Sequence, residues 1–182
     1  ELLAELNDSY AKASGGKVRI SRRELEFLLA CETTGRERFL VLGLLSRHFA
    51  TALWSNEKDE RLTQVHYYGY ADYYKQMPHI FHDAKINLNI ALRVIQTGIP
   101  LRVLDVMGCG GFVLTNYREE IAEHFVNGVE CVIYEDIEDM YAKAQYYLSH
   151  DTERRQIAAN GLAKVQRDFT FEQALAGMLG AE

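Results

Sequence analysis

Residues 85–120 read KINLNIALRVIQTGIPLRVLDVMGCGGFVLTNYREE, and this stretch indicates the fold class. At its start, isoleucines and a leucine alternate with Asn87 and Asn89, as the two faces of a β-strand would. Pro100 then precedes an apolar run that predicts a helix over residues 101–109. A pair of glycines ends this helix, and a short β-prone run follows it. The order is strand, helix, strand.

The same alternation extends in both directions along the chain. Residues 50–54 and 65–69 are rich in β-prone side chains and predict two earlier strands, and residues 131–134 predict a later one. Apolar residues recur at helical spacing over 137–148 and 158–165. We therefore predict an α/β fold with a Rossmann-like, mostly parallel sheet and helices on both faces. Ligands of such sheets bind beyond the carboxyl ends of the strands.

Capping signals predict where several helices begin. Ser21 precedes a glutamate by three residues, and Thr34 repeats that spacing, so we expect two consecutive helices or one helix broken near Gly35. Residues 116–119 have a similar pattern and are predicted to cap the helix that follows them. Thr170 caps a final helix.

Size and charge exclude several classes of protein. The 182 residues are 48% hydrophobic and 25% charged, which is typical of one soluble domain with its own core. The net charge is −6 and no basic run occurs, so we expect neither nucleic acid nor anionic lipid as a partner. No apolar stretch is long enough to cross a membrane, and residues 1–5 do not resemble a signal peptide. We expect no membrane span and a cytoplasmic location.

Cysteine and histidine patterns give no metal or cofactor site. Cys31, Cys109 and Cys131 are odd in number and far apart, which favours free thiols over a disulfide framework or a zinc site. His79 and His82 share a predicted helix but have no further ligand at a suitable spacing. We therefore predict neither a metal nor a cofactor.

The turn before the helix at residues 101–109 is the strongest candidate for a ligand site. A helix that begins at Leu101 directs unpaired N–H groups towards the turn, and Arg102 adds a forked cation, which together suit a diphosphate. Asp105 lies one helical turn further on, where its carboxylate could bind a ribose diol. The alternative is that Arg102 and Asp105 only pair with each other on the helix surface.

Three segments within residues 85–116 resemble a known family. They are Lys85-Ile-Asn-Leu-Asn, Gly98-Ile-Pro-Leu-Arg-Val-Leu-Asp and Gly110-Gly-Phe-Val-Leu-Thr-Asn. Together they resemble the C-terminal domain of spore-maturation-type glycosyltransferases, which belong to the group-1 enzymes of the GT-B fold. The resemblance continues upstream to Thr34 and downstream to Asp168-Phe169-Thr170.

The resemblance implies a function, a partner and a domain organisation. It implies that residues 31–182 form the donor-binding domain, the C-terminal half of a GT-B fold, and that residues 1–30 are a helical lead-in or interdomain segment. The ligand would be a nucleotide diphosphate sugar, whose glycosyl group is transferred without a metal. The chain lacks an initiator methionine, so we expect a fragment whose missing N-terminal domain supplies the acceptor site. Alone, the fragment is expected to be inactive.

The resemblance also assigns roles to particular residues. Group-1 relatives carry two glutamates, of which the first lies near the sugar and the second on the ribose. The second corresponds to Asp105 and the first to Thr97, which is not acidic, so Thr97 and Gly98 are expected near the sugar. Arg38 lies where relatives place cations for the diphosphate, although a solvated charge is the alternative. Its role is open.

Other interpretations are also open. Asn87 and Asn89 either bind the donor or form a polar strand face that neighbouring loops satisfy. A non-catalytic nucleotide-binding or protein-interaction module on the same fold is the alternative to the transferase domain. An oxidoreductase or methyltransferase is less favoured, because the glycines at 108–111 follow a helix instead of opening one.

Overall fold

The computed structural model describes residues 2–95 and 97–179, in which short strands alternate with helices. The elements are α1 (Leu2–Ser14), α2 (Arg22–His48), β1 (Ala52–Trp54), β2 (His66–Gly69), α3 (Met77–Asp83), β3 (Asn87–Asn89), α4 (Leu101–Gly108), β4 (Val113–Asn116), α5 (Glu119–His124), β5 (Val132–Tyr134), α6 (Ile137–Ser149), α7 (Asp151–Asp168) and α8 (Phe171–Leu179).

The strands pair in parallel throughout, which confirms the predicted α/β class. Strands β3, β4 and β5 form one sheet in that order, with Leu88 opposite Leu114 and Leu114 opposite Val132. Strands β1 and β2 form a second parallel pair, with Leu53 opposite Tyr67. The described strands therefore form two sheets and not the single sheet that we expected. Strands of three or four residues leave few backbone groups for a further ladder.

Helices cover both faces of the three-stranded sheet, as predicted. On one face, Leu114 and Val132 pack with residues of α2, α6 and α7, such as Val41. On the other face, Val113 and Ile133 pack with α4 and α5. Adjacent residues of β4 thus enter opposite cores, because side chains alternate across a strand. The sheet is the centre of the molecule and fixes where α4 begins.

The long helix α2 differs from its prediction. The capping box at Ser21 is confirmed, but the helix runs without a break to His48, so the expected break near Gly35 is wrong. Thr34 is fully buried inside the helix, where its hydroxyl donates to the carbonyl of Ala30. A glycine costs a helix about 1 kcal/mol, and burial of Val41 further along outweighs that cost.

Two glycines follow the end of α4, and each is required for a different reason. Gly110 has a φ of +73°, the left-handed conformation that glycine adopts at helix ends. Gly111 lies so close to α3 that a Cβ would approach the carbonyl oxygen of Phe81 to 2.5 Å. This contact sets how closely α3 and β4 approach each other. The predicted helix end is confirmed.

No helix in the described part of the chain is long and apolar enough to cross a membrane. Cys31, Cys109 and Cys131 are free thiols, as the sequence predicts.

Candidate functional site

The carboxyl ends of β3 and β4 bring two segments to one edge of the sheet. The first is the β3–α4 loop, which we define as residues 90–95 and 97–100, and it leads from β3 to the start of α4. The second is the clamp segment, residues 116–120, which leads from β4 into α5. Because parallel strands end at the same edge, the two segments lie side by side.

Arg102 and Asp105 stand on the first turns of α4 without pairing to each other. Among the described residues neither forms an ion pair, so the helix-surface pair that we considered is not formed. The guanidinium of Arg102 is exposed, 2.9 Å from the sulfur of Met77 and 5.2 Å from the ring centre of Phe81. These are weak partners for a cation. Arg102 therefore keeps most of its donors for another group.

Asp105 is oriented by a tyrosine. The hydroxyl of Tyr73 donates to Oδ1 of Asp105 at 2.7 Å. This hydrogen bond to the carboxylate raises the pKa of Tyr73, because the phenol proton is held by the negative charge. One oxygen of Asp105 is thus fixed, and a carboxylate has further acceptor positions for a ligand.

The β3–α4 loop turns sharply where it meets α4. Gly98 has a φ of +91°, and its N–H donates to Oε1 of Glu120 at 3.0 Å. Thr97 and Gly98 are exposed, and Leu101 is 74% exposed at the first position of α4. The predicted turn residues thus lie together at the open edge of the sheet.

The clamp segment holds the backbone of the β3–α4 loop. Oδ1 of Asn116 accepts from the N–H of Ala91 at 2.9 Å, and Arg118 donates to the carbonyl of Leu92 at 2.5 Å and to that of Ile95 at 3.2 Å. The expected role of this segment as a side-chain cap is wrong, because the residue at the cap of α5 is Arg118 and it makes no capping bond. Its polar groups are used across the edge of the sheet instead.

Asn87 and Asn89 use their amides inside the fold. Nδ2 of Asn87 donates to the carbonyls of Phe81 and Phe112, at 2.9 and 3.3 Å. Asn89 is 9% exposed, and its Nδ2 donates to the hydroxyl of Thr115 at 2.9 Å. This geometry matches the alternative in which the asparagines form a polar strand face that neighbouring groups satisfy.

Helix α2 contributes further polar side chains to this edge of the sheet. Nη2 of Arg38 donates to the carbonyl of Ile90 at 2.7 Å, where β3 ends. Arg93 forms an ion pair with Glu37 at 3.0 Å, and the hydroxyl of Thr34 accepts from the N–H of Arg93. Arg38 is therefore not a purely solvated charge, because it fixes the start of the β3–α4 loop.

A buried tyrosine lies near the charged side chains of Glu37, Arg38 and Arg93. The hydroxyl of Tyr134, at the end of β5, has no hydrogen-bond partner among the described residues. Burial, and to a lesser extent the charge of Glu37, raises its pKa. Tyr134 therefore stays protonated at physiological pH.

Two surface grooves lie elsewhere. One of about 470 Å³ is lined by residues 18–28, and one of about 400 Å³ lies between α2 and residues 61–64. Neither is lined by α4. In the described ranges no three histidine, cysteine or acidic residues are grouped to hold a metal, and His82 uses Nδ1 to bond the carbonyl of Cys109 at 3.0 Å.

With this geometry established, comparison with known proteins assigns the family. Residues 22–180 match the model of the family described as "Glycosyl transferase-like". The match covers most of the chain. The chain belongs to the glycosyl transferase-like family. The resemblance noted in the sequence is thereby confirmed.

One curated protein and two solved structures illustrate the similarity. Spore protein CgeB of Bacillus subtilis (strain 168) is 29% identical over 109 residues, which are 60% of this chain and 32% of that protein. Anabaena Alr3699/HepE, solved in complex with UDP and glucose, superposes with a TM-score of 0.61 at 15% identity, over 80% of this chain and 45% of that one. The C-terminal domain of a glycosyl transferase group 1 family protein (LpcC) from Francisella tularensis superposes with a TM-score of 0.59 at 16% identity. This match covers 77% of this chain and 82% of that one.

These comparisons define the fold and the extent of the match. The solved structures share the fold of this glycosyl transferase-like chain. The chain spans about a third of the length of the spore protein and less than half of Alr3699/HepE. It covers most of the isolated C-terminal domain from Francisella tularensis.

Sequence reasoning missed three polar residues of this candidate site. They are Tyr73, Arg118 and Glu120, of which Arg118 was expected only as part of the cap of the following helix. For Arg118 the available signal was its spacing, because it lies two residues after Asn116 in the extended segment between β4 and α5. Extended residues at that spacing present side chains to one side.

Proposed function

We propose that this chain is the donor-binding domain of a glycosyltransferase, which binds a nucleotide diphosphate sugar and transfers the sugar when joined to its N-terminal domain. The observation that carries the proposal is that neither Arg102 nor Asp105 of α4 forms an ion pair with any of the described residues. A cation and a carboxylate one turn apart, at the carboxyl edge of a parallel sheet, match the two ends of a nucleoside diphosphate.

The diphosphate binds at the start of α4 in this proposal. The first N–H groups of a helix are unpaired and carry a partial positive charge, and α4 has no side-chain cap to satisfy them. Arg102 presents a planar donor fork beside them. As the bond between the sugar and the diphosphate breaks, negative charge grows on the leaving phosphate, and these donors stabilise it.

The nucleoside binds one turn further along the helix. Asp105 accepts from the ribose hydroxyls with the oxygen that Tyr73 leaves free. Thr97 and Gly98 then lie beside the sugar. Asn87 and Arg38 support this arrangement by donating to the carbonyls of Phe81 and Ile90, and Asn89 supports it by donating to the hydroxyl of Thr115. Any direct contact of these three residues with the donor stays a prediction.

The proposal extends to the whole protein. Alr3699/HepE was solved with UDP and glucose, which makes a uridine nucleotide the first donor to test here. The division into a segment of residues 1–30 and a domain of residues 31–182 stays a prediction, and helix α2 crosses that boundary. A cytoplasmic location also stays a prediction.

A second function, a protein-interaction module, is favoured by one observation. Tyr70, Tyr74, Leu101 and Tyr117 are between 55% and 85% exposed around the candidate site. Exposed large apolar side chains on a soluble domain often mark a surface that another protein covers. In the leading proposal that cover is the N-terminal domain.

Calorimetric titration with UDP, GDP, ADP and dTDP, each alone and as its glucose conjugate, tests the proposal. We expect one nucleotide to bind, and Arg102→Ala and Asp105→Ala each to weaken it by about tenfold or more, the effect of removing a hydrogen bond to a charged group. Arg155→Ala and Asp83→Ala, at exposed positions on α7 and α3, are charge-matched controls and should bind as the unaltered chain does. Unchanged binding by both α4 variants would refute the site. Absence of all nucleotide binding would favour the interaction module.

A further inference from the structure

We propose that Glu120 recognises the hydroxyl groups of the donor sugar, so that a carboxylate from α5 determines sugar specificity. The inference rests on the proposed function, because it assumes that the diphosphate lies at the start of α4. Thr97, the residue expected nearest the sugar, has no charge of its own. Glu120 brings the missing carboxylate from a different element.

The position of Glu120 follows from a single contact. Its Oε1 accepts from the N–H of Gly98 at 3.0 Å, and Gly98 lies two residues before Pro100, which caps α4. In a nucleotide diphosphate sugar, the sugar is joined directly to the distal phosphate. A diphosphate at the start of α4 therefore brings the sugar next to Gly98 and Glu120.

The second oxygen of Glu120 is free for a ligand. Among the described residues Oε2 accepts no hydrogen bond, and Glu120 forms no ion pair. A carboxylate has about four acceptor positions, and the bond to Gly98 uses one of them. Sugar hydroxyls donate hydrogen bonds and carry no charge. Glu120 therefore suits the neutral sugar, whereas it would repel a phosphate.

The rest of the β3–α4 loop is held without Glu120. Asn116 fixes Ala91, and Arg118 fixes Leu92 and Ile95, so the first half of the loop is bonded to the clamp segment. Among the described residues, the hydrogen bond that the Glu120 side chain makes is the one to the turn at Gly98. A carboxylate is not required for that single N–H bond, because a neutral amide oxygen would accept it as well.

The substitution Glu120→Gln separates recognition from loop support. Glutamine has nearly the same size and keeps one oxygen for the N–H of Gly98, but it loses the charge and the second acceptor. Binding is measured by calorimetry for the nucleoside diphosphate that binds this chain and for its glucose and galactose conjugates. Glu119→Gln, at the adjacent exposed position, is the matched control, and melting temperatures of all variants report folding.

We expect Glu120→Gln to weaken binding of the preferred nucleotide sugar about tenfold while leaving the nucleoside diphosphate within about twofold. Equal loss for both ligands, or no loss for either, would overturn the inference. In the unaltered chain, the inference also requires the preferred sugar conjugate to bind more tightly than the nucleoside diphosphate alone. If the diphosphate alone binds as tightly or more tightly, the inference is overturned. If the unaltered chain binds no nucleotide at all, the proposed function itself is refuted, and the inference that rests on it falls with it. This result differs from the outcomes above, in which the nucleoside diphosphate still binds.

Discussion

The two parallel sheets of this molecule differ in how completely their strands are covered. In the three-stranded sheet, Val132, Ile133 and Tyr134 of β5 are all buried, and three of the four residues of β4 are buried. In the two-stranded sheet no residue is buried, and Tyr68 is 61% exposed. The first sheet can specify its own packing. The second exposes apolar surface that other groups are expected to cover.

The candidate site lies where these two regions meet. Tyr73 follows the second sheet in sequence, and its hydroxyl bonds Asp105 on a helix that packs on the first sheet. A rigid sheet thus carries α4, and a less covered segment orients its carboxylate. Functional residues are commonly found on loops that a rigid scaffold supports.

Truncation of a core leucine gives the largest expected effect. Leu114 in β4 is fully buried, so Leu114→Ala should lower the free energy of unfolding by about 2–5 kcal/mol. Leu53 in β1 is the matched position in the second sheet and is only half-buried, so Leu53→Ala should cost less than half as much. Urea denaturation of both variants measures the difference. Equal losses would show that the second sheet is as well covered as the first.

A methyl group added at Gly111 gives the next largest effect. The new Cβ would lie 2.5 Å from the carbonyl oxygen of Phe81 and 2.9 Å from Val106, so Gly111→Ala should destabilise the fold by about 1–3 kcal/mol. Gly69 in β2 has open space but a φ of +75°, so Gly69→Ala should cost about 1 kcal/mol through backbone strain alone. Gly108→Ala is the control, because that glycine is helical and has open space. Thermal unfolding measures the loss of stability in all three variants. A larger loss for Gly69→Ala than for Gly111→Ala would contradict the close approach of Gly111 to Phe81.

Loss of the Tyr73 hydroxyl gives the smallest effect, and the effect depends on pH. The pKa of Tyr73 is raised above its ordinary value of 10.0 by the bond to Asp105, so the bond stabilises the fold fully below pH 10 and is lost as pH rises through the raised pKa. Tyr73→Phe should lower the melting temperature by about 1–2 °C at pH 8. The difference between the two proteins should disappear at more alkaline pH. A difference that is the same at pH 8 and pH 11 would mean that the bond is not responsible.

Local sequence patterns predicted most elements but not their continuity. The strand at β3 and the helix α4 follow from alternation and from proline and glycine at the ends. The break near Gly35 was predicted wrongly, because a local capping signal is weaker than the burial of Val41 and Leu45 further along α2. Tertiary packing decided that case.

The sequence by itself determined the α/β class, the order of strands and helices, and the turn at Thr97 and Gly98, because hydrophobic period, proline and glycine act over a few residues. Only the tertiary structure decided which polar groups meet. Tyr73 reaches Asp105 across 32 positions, and Glu120 reaches Gly98 across 22. No local pattern encodes such contacts, since the parallel sheet and the helices packed on it bring distant segments to one edge.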